Sequence, residues 1–251
     1  MRALVTGASS GIGAAFARAL AARGHDLVLV ARDRARLEAM AAELPVDVEV
    51  LPADLAVRDE QERVAARLES EDSPIGMLVT CAGFGMHAPI MSADPAEHDR
   101  AWEVMGRSTQ RLAAAAARAM RPRGEGAIVT VSSTAGLTAM GAYAAIKAWV
   151  TTLTEGLANE LHGSGVTVTA LLPGWVRTEF HERAGMAASG LPDVLWLEPD
   201  AVVAACLRDV DRGKVLSIPS VRYKAFAGLL RVMPRSGVRA LSRALRSRRD
   251  R

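Results

Sequence analysis

Cysteine is scarce in this chain. Only Cys81 and Cys206 occur among its 251 residues. Neither belongs to a CxxC pair, and no Cys/His group has zinc-ligand spacing, so a disulfide framework and a metal site are not expected and a reducing compartment fits. No apolar run is long enough to span a bilayer. No basic leader with an apolar core precedes the first strand-like run, so no signal peptide is expected and the expected location is the cytoplasm. Repeats of solenoid length are missing, as is any linker that would split the chain. Half the residues are apolar, which is enough for a sizeable core.

Acidic residues are almost missing from the end of the chain. Residues 221–251 carry ten Lys/Arg and one acid, Asp250, a balance of +9, whereas the other 220 residues hold 21 basic and 27 acidic side chains, a balance of −6. Such a basic end can attract anionic lipid, nucleic acid or an acidic partner. Phe226, Leu229, Leu230 and Met233 recur at helical spacing there, as do Val238, Leu241 and Leu245, with arginines between. A basic amphipathic helix can lie on a membrane, but packing on its own domain or on a second subunit is the favoured reading. Nucleic acid is not expected, because no aromatic platform accompanies the arginines.

Along the chain, short apolar runs alternate with helical patterns. Strand-like runs fall at 2–5, 27–30, 46–51, 77–80, 127–131, 166–172 and 214–218. Helical stretches fall at 12–23, 34–44, 61–68, 102–120, 143–161 and 200–209. Residues 173–199 have no firm period and read as a loop with short helical pieces. This alternation predicts an α/β fold: a doubly wound, Rossmann-like parallel sheet covered by helices on both faces. It is expected as a single domain over 1–219, followed by a basic helical tail over 220–251.

Between the first strand and first helix lies Thr6-Gly7-Ala8-Ser9-Ser10-Gly11-Ile12-Gly13. Glycine allows a tight turn and close approach of a phosphate, and the helix N-terminus supplies unpaired N–H groups with a partial positive charge. Ser9 and Ser10 add hydroxyl donors. Just past the second strand, Arg32 can accommodate a ribose 2′-phosphate, whereas an acid there binds the 2′-hydroxyl. Asp33, one position later, is the rival that would favour NAD(H). The expected cofactor is NADP(H), with NAD(H) as the alternative.

Tyr143 and Lys147 stand four residues apart in a helical stretch and so share a face. A free phenol titrates near ~10, and a neighbouring ammonium is expected to lower that value. The phenol could then donate a proton to a carbonyl oxygen or accept one from an alcohol. Ser133, just past the preceding strand, could bond the same oxygen.

These residues resemble the short-chain dehydrogenase/reductase family over about 2–219. The segment 6–13 is similar to that family's TGxxxGxG cofactor motif, including Gly7, Ser9, Ser10, Gly11, Ile12 and Gly13. Asp54-Leu55 is similar to its adenine-contacting pair. Ser133 with Tyr143 and Lys147 fits the catalytic Ser and YxxxK. Leu172-Pro173-Gly174-Trp175-Val176-Arg177-Thr178 resembles the PG-x-x-x-T stretch, whose Thr holds the nicotinamide carboxamide. The resemblance implies hydride transfer at nicotinamide C4 to interconvert an alcohol and a ketone or aldehyde. It also implies that Lys147 bonds the nicotinamide ribose and that the long helices near 102–120 and 143–161 build a homodimer or homotetramer.

Three positions depart from the family pattern. Thr80-Cys81-Ala82-Gly83 stands where NNAG is usual, with Ala82 and Gly83 retained beside the cofactor. Met105 aligns with an Asn that relays protons toward the lysine, so the relay runs through water held by other groups or is absent. The interval of ten residues from Ser133 to Tyr143 is shorter than usual, leaving Ser132 or Thr134 as substitutes if Ser133 cannot reach. These departures motivate a rival expectation, a cofactor-binding sensor or scaffold with little or no turnover. Met86, Leu137, Met140, Trp175, Phe180 and Trp196 either form an apolar pocket suited to a lipid-like, steroid-like or aromatic carbonyl compound or are plain core. His87 and His181 flank the expected substrate mouth, with solvated loop histidines the favoured reading.

Overall fold

A computed structural model describes residues 1–86, 88–179 and 192–249, with side chains through 244. The strands are β1 (Arg2–Thr6), β2 (Asp26–Ala31), β3 (Val48–Pro52), β4 (Ile75–Thr80), β5 (Gly126–Val131), β6 (Val166–Leu171), β7 (Trp175–Val176), β8 (Trp196–Leu197) and β9 (Leu216–Ser217). The helices are α1 (Gly11–Ala22), α2 (Arg34–Glu43), α3 (Arg58–Glu69), α4 (Ala96–Ala101), α5 (Ser108–Met120), α6 (Gly141–Glu160), α7 (Pro199–Val210), α8 (Val221–Val232) and α9 (Arg235–Arg249).

Seven strands form one sheet in the order β3-β2-β1-β4-β5-β6-β9, and each pair is parallel. This is the doubly wound, Rossmann-like sheet expected from the alternation. The strand order reverses at β1 and β4, which puts the ligand crevice beyond their carboxyl ends. Successive strand side chains face opposite ways. Ala3 and Val5 of β1 enter a core layer with Phe16 and Leu20 of α1 and Val203 and Leu207 of α7. Leu4 enters the other layer with Val64 and Leu68 of α3 and Leu112 and Ala116 of α5. Burying both faces explains why the strands read as unbroken apolar runs. Full burial of a side chain such as Phe16 or Leu20 stabilises the fold by ~1.5–3 kcal/mol.

Some expected boundaries move. The helix expected at 102–120 begins at Ala96 and passes through a π-helical turn, Trp102–Arg107, where the Ser108 N–H donates to the Glu103 carbonyl. The last strand contracts from 214–218 to β9. The aperiodic stretch contributes the short β7–β8 pair, with Trp175 opposite Trp196, on either side of residues 180–191, which lie outside the described residues together with His87. Among the described residues no helix is long and apolar enough to cross a membrane, and no cluster of His, Cys, Asp or Glu could hold a metal.

Candidate active site

The residues of interest follow the carboxyl ends of β1 to β6. Gly7 and Gly11 have φ of 66° and 55°, left-handed values that suit glycine. A Cβ on Gly13 would collide with the Gly7 carbonyl oxygen, and one on Gly11 would lie 3.2 Å from Cγ2 of Thr178. The turn therefore folds against the helix start and brings Thr178 beside it. Ser10 caps α1 in extended conformation without a side-chain capping bond, Ile12 packs on the core, and Ser9 is half-buried. With no acidic residue in the first turn of α1, the cradle fits a dinucleotide phosphate by its shape and its partial charge.

Thr6 fixes the neighbouring loop. Its Oγ1 accepts from the Cys81 N–H at 3.0 Å and the Ala82 N–H at 3.1 Å. The altered sequence after β4 leaves the ladder intact, with Thr80 opposite Thr130, although the buried Thr80 Oγ1 has no partner among the described residues. Gly83 borders the site directly: a Cβ there would lie 3.2 Å from Sδ of Met105 and 3.9 Å from Nζ of Lys147.

At the adenosine end, the Asp33 carboxylate accepts from the Arg36 N–H at 3.1 Å and so caps α2. It also pairs with Arg36, which in turn reaches Glu179, while Arg34 pairs with Glu38. Arg32 is exposed and makes no salt bridge among the described residues. Asp54 is paired with Arg100 at 3.0 Å and accepts from the Ala56 N–H. Burial works to raise its carboxyl, but the Ala56 N–H, Arg100 and Arg32 outweigh it and hold the group below the usual carboxylate range. The Leu55 side chain sinks into the core, and its carbonyl accepts from Gln61.

The short turn after Ser133 still brings it beside Tyr143, close enough for its hydroxyl to favour the phenolate. The turn manages this by coiling into a 3₁₀ segment, Thr134–Leu137, capped by Ser133 itself. The substitutes are occupied elsewhere. Ser132 Oγ donates to the Lys147 carbonyl at 2.6 Å, and Thr134 Oγ1 donates to the Pro173 carbonyl at 3.1 Å. Lys147 reaches over the Tyr143 ring, 5.6 Å from Nζ to its centre, and donates to the Val131 carbonyl at 2.9 Å.

One expectation is reversed. Rather than being lowered by the ammonium, the Tyr143 phenol is raised above its ordinary value. Burial is the dominant cause, the Ser133 hydroxyl works against the rise and Cys81 adds to it. The same burial brings Lys147 down to about 8. The Cys81 thiol is pushed up to about 12, chiefly by burial and against the pull of Lys147. Desolvation disfavours whichever form is charged, and here it exceeds the pairwise attraction.

Met105 is buried within the π turn. It belongs to an apolar cluster with Val104 and Ile146, against which Met86 and Tyr143 pack. Its carbonyl accepts from the Thr109 hydroxyl at 2.9 Å. Of the other apolar candidates, Trp175 and Trp196 meet edge to face at 5.9 Å. Leu137 lines a different groove of about 480 Å³ with Ala148, Thr151, Glu155 and Arg231, whose lining includes neither Tyr143 nor Lys147. Phe180, His87 and His181 fall outside the described residues. The structure adds Cys81, Arg36, Arg100 and Tyr223 to the surroundings of the site. Only Cys81 carried a sequence signal, as a departure from NNAG.

A parallel sheet with a glycine cradle at its switch point, and Ser, Tyr and Lys gathered beside it, defines a nicotinamide-dependent oxidoreductase. Residues 1–187 match the short chain dehydrogenase family model, and the chain belongs to that family, as an NAD(P)-dependent oxidoreductase acting on CH–OH groups. It is 40% identical to a short-chain dehydrogenase from Sphingobium yanoikuyae solved with NADPH, covering 93% of this chain and 96% of that one with a TM-score of 0.83. It is 34% identical to the bulky-bulky ketone specific alcohol dehydrogenase from Comamonas testosteroni, covering 93% and 94% with a TM-score of 0.78. An uncharacterized oxidoreductase of Staphylococcus aureus is 30% identical over 226 residues, 88% of this chain and 96% of that protein.

Proposed function

We propose that this protein uses NADP(H) to interconvert an apolar ketone or aldehyde with its alcohol, with Tyr143 as general acid and base. The observation that carries the reading is the gathering of Ser133, Tyr143 and Lys147, with Lys147 Nζ 5.6 Å from the centre of the Tyr143 ring. NADPH, when bound, supplies the hydride that adds to the carbonyl carbon. Ser133 orients the carbonyl oxygen, and the Tyr143 hydroxyl gives its proton to that oxygen. A phenol held protonated by burial suits the reductive direction. Lys147 contributes a buried cation beside the phenol and a donor toward the nicotinamide ribose.

Retention of Asp33 as a helix cap supports NADP(H), because the acid that could bind a 2′-hydroxyl is already committed while the Arg32 guanidinium is exposed. The Sphingobium protein with NADPH and the ketone-specific Comamonas enzyme lend support from relatives. The apolar surroundings of Tyr143 suit a bulky carbonyl compound better than a sugar. Trp102 on the helix through 96–120 is 41% exposed and meets Trp149 of α6 edge to face at 4.9 Å, which fits a homo-oligomeric contact along these helices. Free thiols at Cys81 and Cys206 suit a cytoplasmic setting.

The test is NADPH oxidation with a panel of bulky apolar ketones, comparing wild type with Tyr143→Phe. Equal rates in both remove the catalytic assignment. The rival reading, cofactor binding without turnover, is favoured by Met105, whose thioether is at best a weak acceptor where a relay would pass. A higher rate in Met105→Asn would show that Met105 limits an enzyme that already works.

A further inference from the structure

We propose that α8 and α9 form a docking surface for an anionic lipid bilayer. The two helices use their apolar residues differently. On α9, Val238 and Ser242 are buried against the rest of the protein and Leu241 is half-buried, so over its described side chains that helix turns its apolar side inward. Helix α8 has two apolar faces. Tyr223, Ala227 and Leu230 are buried, whereas Val221, Leu229 and Val232 are 81%, 53% and 82% exposed. With exposed Ala225 these outward residues are spaced four, four and three apart, which places them along one side of the helix.

Cationic side chains accompany that stripe on α8 and continue along α9. Arg222, Lys224, Arg231, Arg235, Arg239 and Arg243 are all exposed, and no Asp or Glu occurs between Asp211 and Asp250. An apolar stripe joined by charge of one sign is complementary to lipid headgroups over acyl chains. Two copies meeting through this face would set its six cations against six more. Nucleic acid suits it less, because the outward residues are aliphatic and offer no stacking surface.

The surface is coupled to the redox site. The Tyr223 hydroxyl accepts from the Trp175 N–H at 3.1 Å and donates to the Leu195 carbonyl at 2.8 Å. Ser242 Oγ accepts from the Ala139 N–H at 3.0 Å, in the turn just before Tyr143. Both helices therefore rest on the segments that lead to Thr178 and Tyr143, and a bilayer-partitioned compound would meet the protein on that side.

Co-sedimentation of the full chain with vesicles tests this. Wild type should pellet with vesicles of phosphatidylcholine mixed with phosphatidylglycerol, remain in solution with phosphatidylcholine alone, and be released by salt. Arg239→Ser and Arg243→Ser should each weaken binding roughly fivefold, and Leu229→Ser with Val232→Ser should weaken it further. These positions are exposed, so the variants fold. Equal binding to both vesicle types, or none to either, overturns the proposal. It is also overturned if the Leu229/Val232 variant changes oligomeric mass rather than vesicle binding, or if that variant keeps full vesicle binding while an RNA oligonucleotide displaces the lipid.

Discussion

The Lys147 ammonium lies over the Tyr143 ring at 5.6 Å but spends its hydrogen bond on the Val131 carbonyl. The two groups share one desolvated site, and each resists its charged form. The ordinary assumption of a phenolate stabilised by an amine does not describe the protein by itself.

For stability the sign follows from proton counts. Lys147 is protonated at pH 7 in both folded and unfolded chains. Between about 8, its folded value, and 10.5 the unfolded chain binds the extra proton, so stability rises with pH through that window. Denaturant unfolding of the apoprotein and of Lys147→Met from pH 7 to 10 should show wild type gaining relative to the variant. A constant difference would refute the lowered value. Because Lys147 also pulls on the Cys81 thiol, both proteins carry Cys81→Ala in this comparison, so that the difference reports Lys147.

Removing the phenolic hydroxyl should separate chemistry from binding. Tyr143→Phe should lose roughly 10²–10⁴-fold in turnover while keeping NADPH affinity by fluorescence titration. A variant that loses both equally would point to a structural role for Tyr143.

Cofactor choice should follow Arg32 and not Asp33. Arg32→Ala should weaken NADPH binding by roughly 10- to 100-fold, as expected for a lost charge-assisted bond, and leave NADH nearly unchanged. Asp33→Ala should lower stability by ~1 kcal/mol through loss of the α2 cap without altering the NADPH-to-NADH ratio. The opposite pattern in titration would assign the ribose end to Asp33.

Tyr223 should matter through the segment it holds ahead of Thr178. Tyr223→Phe removes the hydroxyl that joins Trp175 to Leu195 and should cost about 1–3 kcal/mol, with a raised KM for NADPH because Thr178 follows the loosened segment. Gly174→Ala should do similar harm by a different route, since a Cβ there would collide with the Tyr223 ring. Thermal unfolding with initial-rate kinetics checks both.

Strands, helices and the glycine cradle were legible because a doubly covered sheet writes itself as apolar runs and the first βα turn requires glycine. The Tyr143–Lys147 pairing was legible from helical spacing. The direction of the phenol shift was not, because it depends on burial supplied by the rest of the fold, with Phe84 and Met86 packed into the same cluster. Nor was the Asp54–Arg100 pair, which joins residues 46 apart. The departures at Thr80 and Cys81 gave no sign of what holds the loop after β4, and the short turn left the reach of Ser133 open. The fold meets them with bonds from the Cys81 and Ala82 N–H groups to the Thr6 hydroxyl and with a 3₁₀ coil, neither of which has a sequence period.

The π turn at Trp102–Arg107 sets the phase of everything upstream of it. A wider turn holds one residue more than an α-helical one. Deleting a single residue there would rewind the helix and swing Ala96–Ala101 by about 100° around its axis. Arg100 would then leave Asp54, and the adenosine end of the crevice would lose its tether although no residue lining it had been changed.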